Sequence, residues 1–87
     1  MPRDSYLSEA ARAASESIDR SINDPAVSAE SRRAFEECRT ALSYCTSIDD
    51  VRYVRTIFHD VKLITLFGDV HATTSRVAAR CSKITRR

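Results

Sequence analysis

Apolar residues recur at every third or fourth position along almost the whole chain, which is the spacing of one face of an α-helix. Residues that interrupt helices are rare, because Gly68 is the only glycine and Pro25 is the only proline beyond Pro2. The pattern predicts an all-α protein, and the short connections favour a compact single-domain bundle of antiparallel helices. The four predicted helices cover about residues 5–22, 25–46, 48–67 and 70–85.

Polar residues at the breaks predict where these helices begin and end. Asp24 is expected to cap the second helix, with Pro25 in its first turn, where proline is well tolerated. Ser47 is expected to cap the third helix in the same way. Gly68 is expected to end the third helix in the left-handed conformation, with Asp69 capping the fourth.

The segment 63–67 is apolar on almost every side and is expected to be the most buried part of the chain. Its β-branched residues make a strand the alternative to a helix, although the helical spacing before it favours a helix. The apolar stripe after Gly68 points about 140° away from the stripe before it. We therefore expect the chain to turn at Gly68.

The length of 87 residues leaves room for one domain, residues 1–87, with a single core. Hydrophobic content of 43% and charged content of 30% are typical of folded globular proteins. No run approaches the roughly 18 apolar residues of a membrane span, and the N-terminus lacks the apolar block of a signal peptide. We expect a cytoplasmic protein that does not bind membranes.

The cysteines are odd in number and occupy apolar helical positions, which predicts buried free thiols rather than disulfides. They are Cys38, Cys45 and Cys81. Their spacing does not fit a zinc site, so we expect no metal and no other cofactor. The chain also lacks a glycine-rich phosphate loop, a His-Glu metal helix and a nucleophile elbow. We expect no catalytic residues and no enzymatic activity.

Charge is unevenly distributed along the chain. Residues 1–47 hold six Lys and Arg against eight Asp and Glu, whereas residues 48–87 hold eight against four. Basic residues form one stripe on the third helix and another on the fourth. The stripes are Arg52, Arg55, His59 and Lys62, and Arg76, Arg80, Lys83 and Arg87. They are either solvated helix faces or binding surfaces for an acidic partner.

Tyr53 lies beside Arg52 and Arg55, and exposed Tyr next to Arg is typical of protein interfaces. The first functional hypothesis is a small non-enzymatic regulatory or inhibitory protein that binds stoichiometrically to a protein or ribonucleoprotein complex. It is similar in general form to the small helical inhibitors that phages and mobile elements encode. Its predicted partner-binding residues are Arg52, Tyr53, Arg55, His59 and Lys62.

The alternative hypothesis starts from Gly68 and the stretch Thr73-Thr74-Ser75-Arg76-Val77. This segment resembles the helix-turn-helix of the Lac-repressor type, in which Thr-x-Ser-Arg-Val opens the recognition helix after the turn glycine. The resemblance implies that Val77 faces the core and that residues 63–87 form a DNA-binding transcriptional regulator, acting as a homodimer. The predicted nucleic-acid-binding residues are then Thr73, Ser75, Arg76, Arg80, Lys83 and Arg87.

Overall fold

The fold consists of four α-helices joined by short connections. The computed structural model describes the backbone of residues 3–67 and 70–86, and the side chains of residues 6–65 and 74–86. The helices are α1 Arg3–Ile22, α2 Ala29–Ser43, α3 Ile48–Phe67 and α4 Val70–Thr85. No strand occurs in these described ranges, so the prediction of an all-α bundle is confirmed.

Helix α2 is central, because it packs against each of the other three helices. Helix α3 also contacts both α1 and α4, whereas α1 and α4 share no contact over the described residues. Helices α2 and α3 run antiparallel, since Ser31 near the start of α2 hydrogen bonds to Thr65 near the end of α3 at 3.3 Å. The bundle measures 42 × 26 × 16 Å. Helices α1 and α4 thus lie on opposite sides of the α2–α3 pair.

The core is formed by the apolar stripes that the sequence predicts. Phe35 of α2 meets Phe58 of α3 edge to face, with ring centroids 5.4 Å apart. Ile57 is also buried, although it lies outside the apolar stripe that the spacing of α3 predicts, which is Val51, Val54, Phe58 and Val61. The other buried apolar residues are Ala14, Ile18, Ala34, Cys38, Ala41, Leu42, Val51, Val54, Val61, Val77, Cys81 and Ile84.

Helix α2 begins four residues later than predicted. Ser28, not Asp24, is its N-cap, and the Ser28 hydroxyl oxygen accepts a hydrogen bond from the Ser31 backbone N–H at 3.2 Å. The Asp24 carboxylate instead accepts from the Ala26 backbone N–H at 2.9 Å, which closes a turn around Pro25. Asp side chains often stabilise such local turns in competition with helix. The helix ends at Ser43 rather than near residue 46.

The start of α3 is confirmed. The Ser47 hydroxyl accepts a hydrogen bond from the Asp50 backbone N–H at 3.1 Å. The Asp50 carboxylate in turn accepts from the Thr46 backbone N–H at 2.9 Å. This reciprocal arrangement resembles a capping box and satisfies backbone donors that a helix start leaves free.

The segment 63–67 is helical, which resolves the choice between helix and strand. The expectation that it is the most buried part of the chain is wrong for its described side chains, because Leu63 is 46% exposed and Ile64 and Thr65 are only half-buried; residues 66 and 67 lie outside the described side chains. Leu63 lies two residues beyond the buried Val61 and therefore about 200° further around the helix. The predicted roles of Gly68 and Asp69 fall on residues outside the described ranges.

The three cysteines are free, as predicted. Cys38 and Cys81 are buried at the α2–α4 contact, and Cys45 is half-buried. A hydrogen bond with the Cys81 thiol raises the pKa of Cys38 above its ordinary value, and burial raises it further. Across the described helices, none is both long enough and apolar enough to cross a membrane.

Candidate functional site

An open groove of about 630 Å³ lies between α1 and α3 and is the candidate functional site. One wall comes from α3 and carries four of the five residues predicted to bind a partner. These are Arg52, Arg55, His59 and Lys62. The other side comes from α1 and consists of the small residues Ala10, Ala13, Ala14 and Ser17. We call this site the α1–α3 groove.

The helical period of α3 explains why these four side chains share one wall. They follow one another at steps of three, four and three residues, so they form one stripe next to the buried face. Phe58 connects the stripe to the core, since its ring also packs against Phe35. The Lys62 ammonium nitrogen lies 5.4 Å from the centre of the Phe58 ring. Such a cation–π contact holds the lysine at the groove.

The cations on the α3 wall of the groove form no close ion pair with a described carboxylate. Within the described part of the chain, no carboxylate lies within ion-pair distance of Arg52, Arg55 or Lys62. The lining residues with described side chains also include no Asp or Glu. A cleft lined by charges of one sign concentrates their field, so this groove attracts anionic groups such as carboxylates and phosphates.

Arg20 adds a further cation beside the groove, which the sequence pattern did not identify. Its guanidinium donates a hydrogen bond to the hydroxyl oxygen of Ser17 at 3.2 Å. Ser17 lines the groove, so Arg20 lies at its edge. The three-residue separation from Ser17 is visible in the sequence, but the role of Ser17 depends on how α1 packs against α3.

Tyr53 does not lie with the other four predicted partner-binding residues. It is half-buried, and its hydroxyl donates a hydrogen bond to the backbone carbonyl oxygen of Arg80 at 3.2 Å. Successive residues on a helix point about 100° apart, which places Tyr53 around α3 from Arg52 and towards α4. We therefore assign Tyr53 to the α3–α4 contact and not to the α1–α3 groove.

Arg80 is held in the same contact. Its guanidinium donates to the Asp60 carboxylate at 2.9 Å and lies 6.0 Å from the centre of the Tyr53 ring. The hydrogen bond to Asp60 raises the pKa of Arg80 above its ordinary value. Both partners are partly exposed, so the pair contributes roughly 0–1 kcal/mol. Arg80 is consequently less available to nucleic acid than the sequence stripe implies.

The remaining α4 residues of the alternative hypothesis fall into two groups. Ser75, Arg76 and Lys83 are exposed, and with the exposed Arg86 they form what we call the α4 outer face. The Thr73 side chain and Arg87 lie outside the described ranges.

Two observations bear on the helix-turn-helix resemblance. Val77 is buried, in agreement with what the resemblance implies. Helices α3 and α4 are separated by two residues, whereas a helix-turn-helix usually has a turn of about three to four. No α4 residue with a described side chain (74–85) lines the α1–α3 groove. The two basic stripes therefore serve different surfaces.

A smaller groove of about 290 Å³ lies between α3 and α4. Arg76 and Arg80 line it together with Asp60, so part of its positive charge is already paired. Over the side chains that the structure describes, no group of three His, Cys, Asp or Glu residues is arranged to hold a metal ion. The α1–α3 groove is the stronger candidate because its cations form no ion pair with any carboxylate that the structure describes.

Comparisons with protein-family models, curated proteins and solved structures gave no match for this chain.

Proposed function

We propose that this protein is a small, non-enzymatic regulatory or inhibitory protein that binds stoichiometrically to an acidic surface of a protein or ribonucleoprotein complex in the cytoplasm. The binding site is the α1–α3 groove. The observation that carries the proposal is the row of cations on α3, which line one open groove whose described lining residues include no carboxylate.

The contents of the groove favour binding over catalysis. His59 is the only histidine among the described residues that line the groove, and those residues include no cysteine or carboxylate to act with it in catalysis. Arginine is well suited to binding instead, because it is enriched among the residues that dominate interface energies. A protein that occupies a partner's surface in this way acts one to one and blocks whatever else binds there.

Charge reversal tests the proposal. We expect the Arg52→Glu/Arg55→Glu/Lys62→Glu variant to capture at least about tenfold less partner from a nuclease-treated lysate than the unchanged protein does. Loss of three ion pairs of roughly 0.5 kcal/mol each gives this factor. All three side chains are exposed, so circular dichroism should show an unchanged helical fold.

The matched control reverses three cations on the α4 outer face, as Arg76→Glu/Lys83→Glu/Arg86→Glu. This variant has the same net charge as the groove variant, but none of its changes lies in the α1–α3 groove. We expect it to retain partner capture. Equal loss in both variants would indicate a general charge effect, and retention in the groove variant would show that the proposed site is wrong.

A second candidate function is a homodimeric DNA-binding regulator that uses residues 63–87. It is supported by the composition of α4, which contains no Asp or Glu, and by the exposure of Ser75, Arg76 and Lys83. Such a protein binds duplex DNA with an affinity that falls steeply between about 50 and 200 mM salt. The α4 outer-face variant should then lose DNA binding while the groove variant keeps it. A gel that shows no shifted duplex at 50 mM salt would exclude this function.

A further inference from the structure

We infer that the occupant of the α1–α3 groove is an amphipathic protein helix with carboxylates along one face and neutral or basic residues along the neighbouring edge. This inference rests on the proposed function and specifies the partner. Two features of the groove support it, namely its small-residue side and the difference in charge between its two sides.

The small-residue side allows another helix to approach closely. Ala10 and Ser17 are half-buried and Ala13 is exposed, so α1 presents little side-chain bulk to the groove. Packed helices lie about 8–10 Å apart, with the distance set by the side chains at the contact. A helix that lies in a groove between two others is a common mode of peptide recognition. The α1–α3 groove has the shape that this mode requires.

The cations on α3 have the spacing that a helix can match. Arg52 and Lys62 are ten residues apart, which corresponds to about 15 Å along the helix axis. Carboxylates at steps of three, four and three residues on a facing helix repeat at the same intervals over about three turns. Side chains on one face of an extended strand repeat at about 6.8 Å and do not keep this spacing.

The charged residues of α1 beside the groove, which we call the α1 rim, favour a protein over a nucleic acid as the occupant of the groove. Glu9 and Glu16 are exposed and lie four residues before and three residues after Ala13, so they are its neighbours on the helix surface. Arg20 lies on the same helix beside Ser17. The rim therefore carries both signs of charge. A phosphate backbone has a single sign and would meet these carboxylates, whereas a protein helix can match both sides.

The test uses three synthetic peptides with the full-length protein. The striped peptide is an alanine-based helix of about 18 residues with Glu at steps of three, four and three on one face and Lys on the next edge. The scrambled peptide has the same composition without the stripe, and the broken peptide has two prolines within the stripe. Titration calorimetry should show one-to-one binding of the striped peptide, at least about tenfold tighter than the other two.

Filling the groove should abolish this preference. Ala13→Trp places a large side chain on an exposed position of the small-residue side, so we expect at least about tenfold weaker binding of the striped peptide. Ala79→Trp is the matched control, since Ala79 is an exposed alanine on α4 outside the groove. Equal binding by both variants would place the peptide elsewhere and overturn the inference.

Reversing the negative charges of the α1 rim distinguishes binding of a protein helix from binding of a polyanion. Glu9→Lys/Glu16→Lys should weaken binding of the striped peptide by about two- to fivefold for each Glu–Lys ion pair that is lost. The same variant should bind a 20-base-pair duplex DNA more tightly. Tighter binding of both probes would show that the groove binds any polyanion. That result would overturn the inference that its occupant is a helix.

Failure of the inference can be told from failure of the proposed function. Equal affinity for the striped and broken peptides, or no binding of either, overturns the inference of a helical occupant. This holds even when the groove variant loses partner capture. Retained capture by the groove variant overturns the function itself.

Discussion

The sequence neighbours of Tyr53 suggest that it binds a partner. Its neighbours in space show that it joins α3 to α4 instead. It stands between Arg52 and Val54, yet its hydroxyl reaches the carbonyl oxygen of Arg80, 27 residues later. Periodicity predicts the cation stripe, because every member lies on the same helix. It does not predict the hydrogen bond of Tyr53, because that bond depends on how α4 packs against α3.

Tyr53→Phe should therefore change stability rather than binding. We expect the free energy of unfolding to fall by about 0.5–1.5 kcal/mol, since the variant leaves the Arg80 carbonyl without its side-chain donor. Urea denaturation measures this change. Tyr44→Phe is the control, because Tyr44 is 54% exposed and its stability contribution should be close to zero. Loss of partner capture by Tyr53→Phe at unchanged stability would return Tyr53 to the interface.

Cys38 makes stability depend on pH. Its pKa in the folded protein is raised by the Cys81 thiol and by burial, so the folded state keeps a proton that the unfolded chain loses above about pH 8.5. This contribution to stability is fully present below that pH. As the pH rises further, the free energy of unfolding should fall by less than about 1.4 kcal/mol per pH unit, because the same hydrogen bond lowers the pKa of Cys81 and offsets part of the decline.

Urea denaturation between pH 7 and pH 10 tests the role of Cys38. Cys38→Ala should remove most of the decline above pH 8.5, whereas Cys45→Ala should leave it in place because Cys45 is only half-buried. An identical decline in all three proteins would assign the pH dependence to other groups.

At the level of the helices, the start of α2 shows where sequence patterns reach their limit. Two residues before α2 are able to cap it, Asp24 and Ser28, and both side chains accept a backbone hydrogen bond. The presence of Pro25 favours the earlier position, because proline suits the first turn of a helix. The structure uses Asp24 for a separate turn and Ser28 for the cap. Whether Asp24 or Ser28 caps α2 depends on where the chain must leave α1.

Replacing each candidate cap measures this difference. Ser28→Ala should lower the free energy of unfolding by about 1 kcal/mol, because it removes the N-cap of the central helix. Asp24→Ala should cost less, since its hydrogen bond stabilises an exposed turn. Thermal and urea denaturation give both values. A larger effect from Asp24→Ala would indicate that α2 begins at Pro25 in solution.

The stripe on α3 lowers the stability of its own helix. Arg52 and Arg55 are three residues apart, and like charges at this spacing are destabilising by about 0.2–0.5 kcal/mol. Arg55→Glu turns this repulsion into attraction and also places a carboxylate four residues before His59. We expect the variant to gain about 0.5 kcal/mol in stability at low salt while it loses partner capture. A loss of stability would mean that the stripe has an unrecognised structural role.

At the level of the whole molecule, the sequence predicts the four helices and the cation stripe but not the groove. Periodicity defines each element and its core face, because those depend on local spacing. The groove requires that Ala10 and Ser17 face Arg55 and Lys62, which depends on the packing of α1 against α3. The sequence does show that α1 is rich in small residues. It does not show that these small residues face the basic wall of α3.

The position of α1 has a consequence for the motions of the protein. Among the described side chains, α1 contributes only Ala14 and Ile18 to the fully buried core, and α1 has no contact with α4. An element with so few buried contacts opens locally at a lower free energy than the rest of the fold, and its amide hydrogens exchange faster than those of α2. A ligand held between α1 and α3 should therefore restrain α1 against the rest of the bundle. Slower exchange along α1 would report that the site is occupied.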